Sequence, residues 1–147
     1  MRPAVVYAIC ILGVVIMGSL IGISTLPGAW YESLVKPSFT PPNWVFGPVW
    51  TVLYALIGWV GARKWLFGGE RGLWFSQLAL NFLWSPVFFG LNLAVTALVI
   101  IATLWLLIAT FIAKEWRKDR LSAQLFLPYL AWVSLAAALN AGIVALN

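Results

Sequence analysis

Four long stretches of this chain carry no charged residue, and this constrains its fold more than any other feature. They are Val5–Leu26, Trp44–Ala62, Leu73–Ala113 and Leu121–Leu146. A helix needs about 20 mainly apolar residues to cross the hydrocarbon core of a bilayer. Inside lipid every backbone N–H and C=O must be satisfied within the chain, so runs of this kind fold as helices. The third run is too long for one span. It contains Pro86 and then Gly90-Leu91-Asn92, residues that accept a tight turn at little cost. Dividing it there predicts five helices over about 5–26, 44–62, 73–89, 93–113 and 121–146, in one all-α membrane domain covering residues 1–147. Four helices, one of them long and kinked, is the alternative. Only 9% of the 147 residues are charged, against about 25% in soluble domains.

Charge sets the expected orientation. With five spans, Arg2, Arg63, Lys64, Arg71, Lys114, Arg117, Lys118 and Arg120 share one side of the membrane, and Lys36 stands alone on the other. The positive-inside rule then places the N-terminus in the cytoplasm, with the C-terminus and the first connection outside. The net charge of +5 calls for no nucleic-acid partner. It arises from short basic connections beside anionic lipid headgroups, with no basic surface interleaved with stacking aromatics. Arg2 followed by an apolar run resembles a signal peptide, but the run is longer than a signal core and lacks a small-residue cleavage site. The N-terminus also lacks an organelle-targeting extension, which points to a prokaryotic cell membrane. The single cysteine, Cys10, cannot form an internal disulfide and reads as a small buried residue.

The first connection is unusual. Between Trp30 and Trp50 the chain holds three tryptophans and four prolines, and Pro37, Pro41 and Pro42 exclude a regular helix through its middle. A stiff aromatic lid over the mouth of a bundle accounts for both residue types. An interfacial aromatic belt would account for the tryptophans alone. Within the spans, Trp74, Gln77, Asn81, Trp84 and Phe88 recur at three- and four-residue spacing and share a helical face. Trp50 and Tyr54 are four apart, with Gly58 and Gly61 allowing close approach further down that helix. Tyr129, Trp132, Ala136, Leu139 and Asn140 repeat the pattern near the end of the chain. These stripes fit a shared interior cavity, and equally a closed bundle in which Gln77, Asn81 and Asn140 bond one another.

Missing residues narrow the chemistry. The chain has no histidine, which excludes imidazole metal ligation, an axial haem histidine and a Ser-His-Asp triad. The acids Glu32, Glu70, Glu115 and Asp119 all read as lying in connections, so no ionisable group is expected inside a span to drive a coupled transporter. No Walker, dinucleotide or paired-carboxylate motif appears. No metal or required cofactor is expected, and no acid–base enzyme chemistry. What remains is a cavity of rings, amides and hydroxyls suited to a flat, largely apolar ligand.

Several motifs occur together in a recognisable order: Trp30-Tyr31-x-x-Leu34-x-Lys36-Pro37, Pro41-Pro42-x-Trp44, Pro48-x-Trp50-x-x-Leu53-Tyr54, Gln77-Leu78-Ala79-Leu80-Asn81-x-x-Trp84-x-Pro86-x-Phe88-Phe89-Gly90, and Pro128-Tyr129-Leu130-Ala131-Trp132 through Leu139-Asn140. On these the chain resembles the TspO/MBR family: tryptophan-rich sensory proteins of bacteria and the mitochondrial translocator protein, or peripheral benzodiazepine receptor. The resemblance implies a five-helix membrane fold, often a homodimer, with a pocket capped by the first connection. It implies porphyrin ligands such as protoporphyrin IX and haem, sterols in some members, benzodiazepine-type compounds, and a role in stress regulation. Tyr31, Trp50, Tyr54, Asn81, Trp84, Trp132, Ala136 and Leu139 are the ligand-contacting residues expected here. Trp50 and Trp132 match tryptophans linked in some bacterial members to light- and oxygen-dependent porphyrin breakdown, so photo-oxidation is the alternative to binding, and passive transport of porphyrins or other apolar metabolites a third reading. Three features depart from the family. Phe39 stands where tryptophan is common, Ser76 where alanine is common in a small-residue contact, and 141–147 lack the Tyr, Lys or Arg of the animal cholesterol-recognition pattern.

Overall fold

In the computed structural model, which describes residues 1–147, the chain is helical almost throughout and has no strand. The elements are α1 (Pro3–Ser24), a single turn α2 (Ala29–Ser33), α3 (Asn43–Phe67), α4 (Arg71–Ser85), α5 (Ala94–Lys118), α6 (Arg120–Leu125) and α7 (Leu127–Leu146). Four helical stretches are long and apolar enough to cross a membrane: α1, α3, α5, and Arg120–Leu146, which comprises α6 and α7. α4 is shorter, and a π-helical turn, Pro86–Gly90, continues it.

The long apolar run is divided at that turn. Pro86 lacks the N–H that would continue an α-helical ladder. The backbone widens so that the Leu91 N–H donates to the Pro86 carbonyl at 2.9 Å and the Leu93 N–H to that of Val87 at 3.1 Å. Asn92 then takes a left-handed φ of 58°, a conformation asparagine tolerates, and α5 starts two residues later. In the first connection Pro37, Pro41 and Pro42 lie outside helices, as their chemistry requires, but Trp30 and Tyr31 belong to the one-turn helix α2.

α3 lies against α1, and α5 packs between α4 and α7. Ile57, Ile101, Leu104, Ile108, Phe111, Phe126, Tyr129 and Val133 form the centre of the core and are almost wholly buried. Glycines set two of the close approaches. A Cβ on Gly58 would stand 2.6 Å from the Ile11 Cα, so the α1 backbone lies directly on α3. At Gly61 the plane of Trp74 occupies the space of a side chain, and the indole Nε1 donates to the Ile57 carbonyl at 3.0 Å. α1 buries only Val6, Val14 and Gly18, while Ile9, Leu12, Ile16 and Leu20 are each more than half exposed. Outward apolar side chains suit a lipid solvent.

One sequence expectation needs correction. α3 continues to Phe67 and α5 to Lys118, about five residues past the boundaries read from hydropathy. Lys64 and Glu115 therefore lie within helices rather than connections, and both are buried. They pair at 2.7 Å, and the Glu70 N–H donates to the other Glu115 oxygen at 2.7 Å. Beside them Arg63 holds Asp119 through two parallel bonds of 2.9 and 3.0 Å, and Lys118 reaches Glu70 at 2.7 Å. Burying an ion costs several kcal/mol, roughly, unless a partner and further hydrogen bonds compensate. Here they do, so the helices extend through charged positions. Gly69 seals the cluster at φ 114°, where a side chain would be strained and would strike Glu115. Burial works against the charge of Asp119, but Arg63, Ser122 and Lys64 outweigh it and hold its carboxyl well below the usual carboxylate range.

Candidate functional site

At the opposite end from the charged cluster, the second half of α1, the first half of α3 and the second half of α4 diverge around a cavity of about 310 Å³. Its lining includes Gly18, Ser19, Gly22 and Thr25 from α1 and its cap, and Leu26 and Pro27 from the connection. Asn43, Phe46, Trp50 and Tyr54 line it from α3, and Asn81, Trp84, Ser85 and Phe89 from α4 and its π turn. Small residues on α1 leave the room. At Gly18 any Cβ would collide with the Tyr54 ring, so glycine lets that ring lie flat against α1. Tyr54 stacks on Trp50 with centroids 5.4 Å apart and planes 24° from parallel, and the pair makes one aromatic wall. Trp84 stacks similarly on Phe88 at 5.3 Å and 21°. Thr25 and Ser85 share a hydroxyl bond of 2.6 Å between α1 and α4.

A polar chain fixes the deeper wall. Gln77 Nε2 donates to the Trp74 carbonyl at 2.8 Å, so its Oε1 faces Tyr129 and accepts the phenolic proton at 2.8 Å. The Tyr129 oxygen in turn accepts from Asn81 Nδ2 at 2.6 Å. Asn81 is 4% exposed, and its Oδ1 has no partner in the protein. An unpaired buried acceptor costs about 1–3 kcal/mol, which a ligand or water in the cavity can offset. Nearby, Trp84 Nε1 donates to Asn140 Oδ1 at 3.0 Å, and Asn140 Nδ2 to the Ala94 carbonyl at 2.9 Å. Of the two arrangements left open by residue spacing the structure has the cavity, and the amides bond Tyr129, Trp84 and backbone carbonyls rather than one another.

Of the eight residues expected at the site, Trp50, Tyr54, Asn81 and Trp84 line the cavity. The other four do not. Trp132 stands behind the aromatic wall, edge-on to Trp50 at 6.4 Å and to Phe46 at 5.7 Å, and lines a separate outer groove between α3 and α7. Its indole Nε1 is buried without a partner. Ala136 and Leu139 are packed in the core at 3% exposure each. Tyr31 is buried against Phe88 and Phe89, and burial pushes its phenol above its usual 10. Sequence reasoning assigned no residue of α1 to the site: Gly18-Ser19-Leu20-Ile21-Gly22 reads as a small-residue pattern for close helix contact, and nothing in it or in Thr25 announces a cavity wall.

The first connection is fastened on two sides. Tyr31 rests on the π turn, with the Lys36 ammonium 4.6 Å over its ring. Further along, the Asn147 amide pairs with the Val35 backbone in both directions, at 3.0 and 2.8 Å, and the Pro37 ring fills the space above Gly142. Trp44 and Phe39 instead point outwards, 75% and 51% exposed.

Comparison with known proteins agrees with this arrangement of motifs. The sequence pattern of the TspO/MBR family matches residues 6–146. The chain is 45% identical over 127 residues to the tryptophan-rich protein TspO of Archaeoglobus fulgidus, covering 80% of each chain. It is 41% identical over 128 residues to protein CrtK of Rhodobacter capsulatus, covering 82% of this chain and 80% of that protein. With the human translocator protein it shares 39% over 119 residues, 76% of this chain and 70% of the other. The family pattern spans the first connection, the aromatic wall and the amide chain alike, and the all-helical membrane protein described here belongs to the TspO/MBR family.

Proposed function

We propose that this chain is a membrane receptor that holds a flat, largely apolar ligand of the tetrapyrrole class, protoporphyrin IX or haem, in the cavity between α1, α3 and α4. One observation carries the reading: the stacked Trp50–Tyr54 wall lines the same cavity as Asn81, whose Oδ1 is buried without a partner. A ring system can stack on the wall while a polar edge meets the amide. A volume of about 310 Å³ is at the small end for a ligand site, so a tetrapyrrole would extend through the mouth between Leu26, Pro27 and Asn43 and displace the connection that joins them. Relatives are named tryptophan-rich sensory protein and translocator protein, names that suit a receptor for a regulatory ligand.

In this reading the chain crosses the membrane five times, with α4 and its π turn as the third span. The N-terminus and the charged cluster are cytoplasmic and the cover is external, following the distribution of lysine and arginine. A second copy of the chain and membrane lipid are the expected partners.

Titration of purified protein with protoporphyrin IX, followed by tryptophan fluorescence, tests the proposal. Saturable quenching that weakens at least tenfold in Trp50→Ala and Asn81→Leu is the expected result. Non-saturable quenching, or quenching indifferent to both substitutions, would reject it. The edge-on contact between Trp50 and Trp132 favours one second reading, in which the pair supports light- and oxygen-dependent porphyrin breakdown. Illuminated aerobic samples should then lose porphyrin faster than Trp50→Phe or Trp132→Phe protein. Equal loss in all three rules this out.

A further inference from the structure

We infer that the cavity is blind: ligand exchanges only through the covered end, and the chain is a one-sided receptor rather than a conduit across the membrane. This rests on the reading of the cavity as the ligand site. The cavity draws only on the cover-side halves of its three helices. On α1 its lining begins at Gly18, on α3 it stops at Tyr54, and on α4 it starts at Asn81. From Tyr54 to Arg63 is about 13 Å of helix at 1.5 Å per residue, and two different seals fill that depth.

The upper seal is apolar and close-packed. Ile57, Phe111 and Phe126 are wholly buried, and the Trp74 ring is pressed onto Gly61 with its N–H held by the Ile57 carbonyl. Gly58 brings the α1 backbone into direct contact with α3 at the same level, which closes the side towards α1. Protein interiors of this density hold no continuous water path. Below it lies the ionic seal. Lys64 and Glu115 are 2% and 0% exposed, and both Glu115 oxygens are engaged, one by Lys64 and one by the Glu70 N–H. A hollow of about 410 Å³ does open at this end, but it is lined by residues of 63–69 and 115–119 and shares none with the cavity. Passage through the bundle would require separating a buried ion pair and dismantling an aromatic layer together. Release at the covered end requires only that the connection lift from its two fastenings, Phe88 and Phe89 on one side and Asn147 and Gly142 on the other.

Cysteine accessibility tests this directly. In a Cys10→Ser background, Ser19→Cys and Ser85→Cys each place a thiol on the cavity wall. A charged, membrane-impermeant methanethiosulfonate is applied to oriented vesicles from either face, with denatured protein as the reference for full labelling. Labelling at least tenfold faster from the cover side is expected for both positions. Comparable rates from the charged-cluster side would overturn the inference, as would labelling from neither side in protein that labels fully once denatured. Protoporphyrin IX added from the cover side should slow the reaction. Sided labelling without that protection leaves one-sidedness standing and removes the porphyrin assignment instead.

Discussion

The Tyr129 hydroxyl joins two helices because each of its neighbours has only one way to bond it. A backbone carbonyl accepts and never donates, so the Trp74 carbonyl orients the Gln77 amide, Gln77 Oε1 claims the phenolic proton, and Asn81 must present its nitrogen to Tyr129. The Asn81 oxygen is thereby left without a partner, on a residue that lines the cavity. Tyr129→Phe should leave Gln77 Oε1 and Asn81 Nδ2 unpaired in the core and destabilise the protein by about 1–2 kcal/mol, the range for buried polar groups between membrane helices. Denaturant unfolding in detergent measures it, with Thr103→Val, which removes an exposed hydroxyl, as the control. A loss no larger than the control's would mean the chain of bonds does not form. The residues of this network were legible in the sequence, since three- and four-residue spacing put Gln77 and Asn81 on one face. Its direction was not, because bond polarity depends on a carbonyl in three dimensions. Nor could spacing tell Trp50, on the cavity wall, from Trp132 behind it, since both stand among aromatics on inward faces.

At the scale of elements, α3 and α5 depend on each other through their charged ends. Glu115→Ala would leave the Lys64 ammonium buried beside Asp119 alone, at 3.3 Å, and should cost about 3–5 kcal/mol. The double replacement Lys64→Met with Glu115→Leu removes both charges and should recover most of that loss. If the double variant is as unstable as the single, the cluster contributes something other than charge compensation. Acid should act through Asp119. Its carboxyl is held below the usual range in the folded protein, so its contribution is complete above the unfolded value of about 3.9 and falls away as pH drops below it. Stability should be level from pH 8 to pH 5 and decline only under stronger acid, and Asp119→Asn should flatten that decline. A wild-type decline beginning near pH 6 would assign the acid response to another group. Hydropathy located the apolar part of each helix but ended α3 and α5 at the first charge. A helix continues through charge when an opposite charge waits on the neighbouring helix, and a linear sequence cannot display that pairing. The break at Pro86–Asn92, by contrast, was legible because proline and a left-handed asparagine act locally.

Over the whole molecule, charge separates by end more sharply than the list of residues suggests. At the clustered end the three acids are each bound to a cation, Glu115 to Lys64, Asp119 to Arg63 and Glu70 to Lys118. At the covered end Glu32 and Lys36 cancel, so the entire net charge of +5 resides at the clustered end, on Arg2, Arg71, Lys114, Arg117 and Arg120. Exposed aromatics accompany them. The Arg71 guanidinium lies 5.9 Å from the Trp65 ring, that of Arg120 5.2 Å from Trp116, and that of Arg63 5.2 Å from Phe67. Rings beside cations, two of them the unpaired Arg71 and Arg120, form a surface suited to anionic phospholipid, each free cation contributing about 1 kcal/mol near a charged bilayer. Protein reconstituted in phosphatidylglycerol vesicles should therefore unfold at a higher temperature than in phosphatidylcholine vesicles of the same chain length. Raised salt should shrink the difference, because a Debye length of about 8 Å at physiological ionic strength falls to about 3 Å at 1 M. Arg117→Gln with Arg120→Gln should reduce it further without altering porphyrin quenching, since neither residue approaches the cavity. Equal stability in the two lipids would show that these cations set orientation during insertion and nothing afterwards. A salt-resistant difference would instead place the effect in the hydrocarbon region, on the exposed apolar face of α1.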